Sequence, residues 1–170
     1  METIMSEERT RSYSWQDPMP YIKKGMSLAG IDYIQMLLNG NMPAIPIAET
    51  LAYTLEEAEV GRAIFSCEPK EFHLNPLGIV HGGLASTLLD SAMACAVHTT
   101  LPQGVGYTTL QLNINLTRAI RTDSGKLYCE GKVIHAGKQM ATAEGTLRDA
   151  NGKIYAHGTT TCLVFSLDGK

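Results

Sequence analysis

A chain of 170 residues, 44% hydrophobic and 18% charged, is long enough to bury the core of one domain and too short for two, and its balance argues against wholesale disorder. A net charge of −3 argues against a nucleic-acid binder, so an anionic ligand has to be held by local groups. No apolar run approaches the roughly 20 residues of a membrane-spanning helix, and the N-terminal stretch METIMSEERTRSYSWQDPMP mixes acids with bases and lacks a signal sequence's hydrophobic segment, so a cytoplasmic location is expected.

In chain order, the first twenty residues read as a polar arm. From Ser27, a possible cap, SLAGIDYIQMLLNG places Leu28, Ile31, Ile34, Leu37 and Leu38 at the spacing of a one-sided helix that Gly40 can end. Residues 1–45 are therefore expected to form an arm and accessory helix beside a domain spanning 46–170. From Leu51 to Glu68 the pattern turns extended, with Ala63, Phe65 and Cys67 alternating against Arg62, Ile64 and Ser66. HGGLASTLLDSAMACAVHT predicts a long helix with hydrophobic positions on nearly every side, which is a helix wrapped by the rest of the protein. Four strand signals follow, over 107–117, 126–135, 139–148 and 153–165, joined by the turn sequences TDSG, HAGK and DANGK. The sum predicts an α+β fold in which an antiparallel sheet, ending in a four-strand meander, curls around one buried helix. Cys67, Cys95, Cys129 and Cys162 lack the paired spacing of a zinc site or a disulfide framework, so buried thiols and no metal are expected.

One acid interrupts the apolar helix. A buried carboxylate costs several kcal/mol unless paired or hydrogen-bonded, so Asp90 either bonds a neighbour such as Ser86, points into a crevice, or does chemistry. Gly82 and Gly83 stand at the helix start, where first-turn amides lack intrahelical acceptors and carry partial positive charge; they make either a tight turn or a site that polarises a carbonyl. Eight residues at 1.5 Å rise put Gly82 and Asp90 about 12 Å apart, too far to share one reacting carbon within a chain. Two such helices packed antiparallel about a two-fold axis bring the pair together, so a dimer with shared sites is expected. Asn75 caps the NPLG turn or positions a substrate oxygen or water; His81 holds the loop in preference to moving protons; Thr108 or Thr109 offers a hydroxyl.

The segment HLNPLGIVHGGLASTLLDSAMA closely resembles the hotdog-fold acyl-coenzyme A thioesterases of the phenylacetate-pathway and thioesterase superfamily member 2 type, matching their pattern at His73, Asn75, Gly78, His81, Gly82, Gly83 and Asp90. The resemblance implies a hotdog homodimer, or a tetramer of two dimers, that hydrolyses acyl-coenzyme A thioesters without a cofactor. By that resemblance the Gly82 amide polarises the thioester carbonyl, Asp90 is general base or nucleophile, Asn75 orients water or thioester, and the strand hydroxyl falls on Thr109. It also places the nucleotide near Gly137, Lys138 and Gln139 and near Arg118, with Arg121 a weaker candidate. TRAIRTDSGK lacks the proline often found after the arginine. The competing expectations are a hotdog acyl-coenzyme A hydratase or dehydratase, and an acyl-coenzyme A sensor that binds without turnover.

Overall fold

The computed structural model describes residues 6–167; the first five residues of the expected arm lie outside them. Residues 6–17 run without regular structure but are tied down: the Arg11 guanidinium donates to the carbonyls of Thr50 (2.7 Å) and Glu49 (2.8 Å) and lies 4.0 Å over the Phe72 ring. Two short helices appear where sequence reading gave none, α1 (Met19–Gly25) and α3 (Pro46–Leu51), each with a proline in its first turn. Pro20 and Pro46 look like breaks in a pattern, yet a first-turn amide has no helical acceptor to lose, so proline starts a helix as readily as it ends one.

Between them α2 covers Gly30–Leu38, and Gly40, at φ 70°, follows its end as expected. The expected cap is not made: the Ser27 hydroxyl donates back to the Lys24 carbonyl (2.7 Å), closing the turn after α1, and α2 begins three residues later. β1 (Tyr53–Glu59) and β2 (Arg62–Cys67) form a hairpin, followed by a 3-10 turn at Glu71–His73 and the long helix α4 (Gly82–His98). β3 (Val105–Leu116), β4 (Leu127–Ala136), β5 (Met140–Asp149) and β6 (Ile154–Ser166) complete one antiparallel six-stranded sheet.

The strand order β1-β2-β4-β5-β6-β3 corrects the expected four-strand meander. Only β4, β5 and β6 meander; β3 crosses to the far edge and pairs with β6, while β4 pairs with β2. Strand periodicity specifies which side chains face inward but not which strand lies alongside, and the long connection over residues 117–126 permits the crossing. That connection is anchored by buried Ile120, whose carbonyl accepts the Val80 amide (2.9 Å).

α4 lies in the trough of the sheet and touches all six strands, the hotdog arrangement. Leu84, Leu88, Leu89, Ala92, Met93, Ala96 and Val97 bury against side chains including Phe65, Cys129, Leu147 and Cys162. Gly131, Gly145 and Gly158 stand in register across β4, β5 and β6. A Cβ at Gly131 would run into the backbone of Ala92 and Met93, and one at Gly145 into the Met93 side chain, so these two glycines let the sheet close onto the helix; a Cβ at Gly158 would instead meet the Asn113 carbonyl oxygen on β3. The helix is not greasy all round, however. Gly83, Ser86, Thr87, Asp90 and Ser91 remain only half-buried, forming a small polar stripe that the sheet leaves uncovered. Cys67, Cys129 and Cys162 are buried and Cys95 half-buried, all unbridged; burial pushes the Cys67 thiol up to about 11 and the Cys95 thiol up to about 12, away from reactive thiolates.

Candidate active site

The loop that delivers the helix start is pinned by His73. Its Nδ1 accepts the Lys70 amide (3.0 Å), which leaves the proton on Nε2 to donate to the Leu51 carbonyl (2.9 Å), and burial holds the ring's pKa below the ordinary histidine value. The His73 carbonyl in turn accepts the His81 amide (2.8 Å), so the two histidines clamp the loop ends. Inside the loop the Asn75 side-chain oxygen accepts the amides of Leu77 (2.9 Å) and Ile79 (3.3 Å), while Gly78, at φ 73°, takes the turn's left-handed position. Asn75 thus does cap its turn, and because its oxygen is occupied its amide N–H groups are what it can offer a ligand.

His81 takes the structural role preferred from sequence: it caps α4, its Nδ1 accepting the Gly83 amide at 2.9 Å. The Leu84 amide closes onto the His81 carbonyl (3.0 Å). The Gly83 N–H is used inside the protein, whereas the Gly82 N–H has no acceptor among the described residues. Gly82 faces a cavity of about 330 Å³ that it lines together with Asn75, Ile79, Leu116 and Arg118. A Cβ at Gly82 would stand 2.6 Å from the tip of the exposed Leu116 side chain, which would have to turn aside to admit it.

Two turns along the same helix, half-buried Asp90 accepts a hydrogen bond from the Thr109 hydroxyl (3.1 Å) on β3. Thr108 is exposed, so the strand hydroxyl near the acid is Thr109. Ser86, the alternative partner for Asp90, instead donates to the Gly82 carbonyl (3.0 Å). One chain therefore holds these residues in two separate groups: Asn75, Gly82 and Arg118 around the cavity at the start of α4, and Asp90 with Thr109 along its middle.

This arrangement can be set beside known proteins. The thioesterase superfamily matches residues 77–156, the stretch that holds Gly82, Asp90 and Thr109. A provisionally named esterase of Saccharolobus solfataricus is 30% identical over 98 residues, covering 58% of this chain and 68% of that protein. The chain belongs to the thioesterase superfamily. Acyl-coenzyme A thioesterase 13 of Homo sapiens is 29% identical over 109 residues, covering 64% of this chain and 76% of the human one. A shorter match, 38% identical over 69 residues and 39% of this chain, spans 44% of the length of a Halobacterium salinarum protein provisionally named an esterase. Among solved structures, a phenylacetic acid degradation-related protein of Ralstonia eutropha superposes with a TM-score of 0.69 at 28% identity, covering 77% of this chain and 98% of that one.

Within this thioesterase-superfamily chain the residues nominated for the nucleotide lie at opposite ends of α4. Exposed Arg118, which makes no ion pair among the described residues, borders the cavity at the helix start. Gly137 and Lys138 border a separate cavity with Leu101 and Pro102, just beyond the helix end, and Gln139 next to them accepts the Val164 amide on its carbonyl (2.9 Å). Arg121 is turned toward Asp123 (3.8 Å) on the surface. Sequence reading did not nominate Leu116, which walls the Gly82 cavity, or Tyr107, which shares the inner side of β3 with Thr109; the bulge between Thr109 and Gln111 breaks the alternation along this strand.

Proposed function

We propose that this protein is an acyl-coenzyme A thioesterase acting as a homodimer, or as a pair of such dimers, with each site completed across the two-fold axis. The observation that carries the reading is the division of chemistry along α4. A helix-start amide without an acceptor faces a cavity, and a hydroxyl-held carboxylate lies eight residues further on, about 12 Å away. An antiparallel pair of these helices sets Gly82 of one protomer beside Asp90 of the other.

The free edge of the sheet supports association there. β3 is an edge strand of 12 residues, with Leu110, Leu112 and Leu116 exposed at 62%, 37% and 56%. A long apolar edge in water is a pairing surface.

In this reading the Gly82 N–H, backed by the helix dipole, donates to the thioester oxygen, and an Asn75 amide N–H donates beside it. Asp90 takes the proton of a water that attacks the carbonyl carbon, or attacks the carbon itself, and Thr109 orients the carboxylate. The C–S bond breaks, coenzyme A leaves as thiolate and takes a proton, and the acid is released; water is the co-substrate. Acyl-coenzyme A is the substrate favoured by the similarity to the human thioesterase and by Arg118 and Lys138 as phosphate partners.

Thiol release from a panel of acyl-coenzyme A esters tests the assignment. Wild type is expected to release thiol, with Asp90→Asn slower by about a hundredfold or more and Asn75→Ala by about tenfold, both keeping the wild-type mass in solution. Equal rates for Asp90→Asn and wild type refute the role of the carboxylate. Binding without release would leave a sensor, and water addition to an enoyl ester would leave a hydratase.

A further inference from the structure

Beyond these two groups of residues, an apolar cavity of about 190 Å³ opens at the C-terminal end of α4. Three of its walls are ordinary parts of the fold: His98 on α4, Tyr107 with Gly106 on β3, and Phe165 on β6. The fourth is supplied by Ile22 and Met26, at and just after α1, and Tyr33 on α2, all upstream of the stretch matched by the superfamily. Close packing holds this wall in place. Gly25 lies so near the Tyr33 ring that a Cβ there would stand 2.5 Å from it, and the Gly30 amide donates to the Leu101 carbonyl (2.9 Å) just past α4.

We propose that this cavity receives the distal part of the acyl group, and that Ile22, Met26 and Tyr33 set the size of group accepted. The inference rests on the thioesterase reading and adds to it the class of substrate: an acyl group ending in one aromatic ring or in about six carbons of chain.

Tyr107 brings the cavity close to the acid. Tyr107 lines it and lies two residues from Thr109 on the same side of β3, about 7 Å along the strand. The negative charge of Asp90 is one of the influences holding the Tyr107 phenol above its ordinary pKa. A chain anchored by its carbonyl between Asp90 and Gly82 would therefore pass Tyr107 to enter. The volume gives the scale: an engineered apolar cavity of about 150 Å³ takes benzene, so about 190 Å³ has room for a ring or a tail of about six carbons.

Its chemistry decides the polarity. The rings of Tyr33, His98 and Tyr107 pack in sequence, tilted to one another, with centroids 5.5 Å and 5.2 Å apart. Burial raises both phenols above their ordinary pKa and pushes His98 down to about 4, so all three are neutral at physiological pH. A wall of neutral rings favours an uncharged tail over an acyl group ending in carboxylate.

Met26 and Ile22 are 49% and 38% exposed, so replacing them tests the pocket without emptying the core. The experiment measures kcat/KM for acetyl-, octanoyl-, dodecanoyl-, phenylacetyl- and succinyl-coenzyme A. Wild type is expected to prefer octanoyl and phenylacetyl esters and to discriminate against succinyl. Met26→Trp should lower the octanoyl-to-acetyl ratio by about tenfold, and the Ile22→Ala, Met26→Ala double variant should raise the dodecanoyl-to-octanoyl ratio by about tenfold. Profiles that match wild type in both variants overturn the proposal. Calorimetric binding of octanoyl-coenzyme A to Asp90→Asn protein, with and without Met26→Trp, separates this inference from the hydrolase reading. Affinity that falls with Met26→Trp while wild type releases no thiol keeps the pocket and sinks the hydrolase; affinity that does not change sinks the pocket.

Discussion

Asn75 commits its side-chain oxygen to the amides of Leu77 and Ile79, and His81 commits its Nδ1 to Gly83. These local bonds decide what remains for a ligand: N–H donors from Asn75 and Gly82, and no proton acceptor at that end of the helix. The acceptor is Asp90, whose carboxylate takes a hydrogen bond from Thr109, a charge-assisted bond of the kind worth more than a neutral one. If Thr109 orients the carboxylate, Thr109→Val should lower kcat by about tenfold with little change in KM, and Thr109→Ser should restore it. Steady-state kinetics on the three proteins checks this, and equal kcat for valine and threonine would remove Thr109 from the site. The positions of Asp90 and Gly82 could be read from residue identity alone. That Gly83 is occupied, and that Thr109 and not Thr108 faces the acid, could not, because each depends on where a neighbouring atom comes to lie.

At the scale of elements, α4 joins the chemistry to the acyl cavity, and His98 in its last residue reports how tightly that end is packed. The ring is faced by Tyr33 from α2 and Tyr107 from β3, neither of them charged near neutral pH, and Cys95 lies one turn back on its own helix. Burial lowers its pKa from 6.5 to about 4. The unfolded chain therefore takes up this proton near pH 6.5 and the folded protein only near pH 4. Stability is fully present above 6.5 and declines as pH falls between those values, by about 3 kcal/mol in all. Urea unfolding at pH 7.5, 5.5 and 4.5 should show the decline, and His98→Phe should flatten most of it. The buried His73, also shifted down, leaves a smaller slope of the same sign. A His98→Phe protein as pH-sensitive as wild type would show that the ring is solvated. Helix α4 and the strands β3 to β6 were legible because 3.6- and 2-residue periods are written in the order of residues. Helices α1 and α3, of 7 and 6 residues, were not: each is too short for a period to emerge, and each starts with a residue that reads as a break.

For the whole molecule, the proposed function requires two chains, and that requirement is testable without a structure of the dimer. Asp90→Asn and Gly82→Val should each be inactive alone. Refolded together in equal amounts they should recover up to about a quarter of wild-type activity, since half the dimers are mixed and each mixed dimer holds one intact site. No recovery would mean that Gly82 and Asp90 act within one chain or not at all. A Leu112→Lys substitution on the exposed edge of β3 should shift the protein toward monomer in analytical ultracentrifugation and abolish activity with it.

The sequence by itself determined the long helix with its single acid, the glycine pair at its start, the approximate positions of the strands, and the membership suggested by the His73-to-Asp90 pattern. All of these are local, fixed by residues within a few positions of one another. Only the tertiary structure decided that β3 lies beside β6, that Gly131 and Gly145 let the sheet close on α4, and that α1 and α2 wall a cavity at the far end of that helix. Those outcomes depend on contacts between segments tens of residues apart, where close packing selects one arrangement from several that the same periodicities allow.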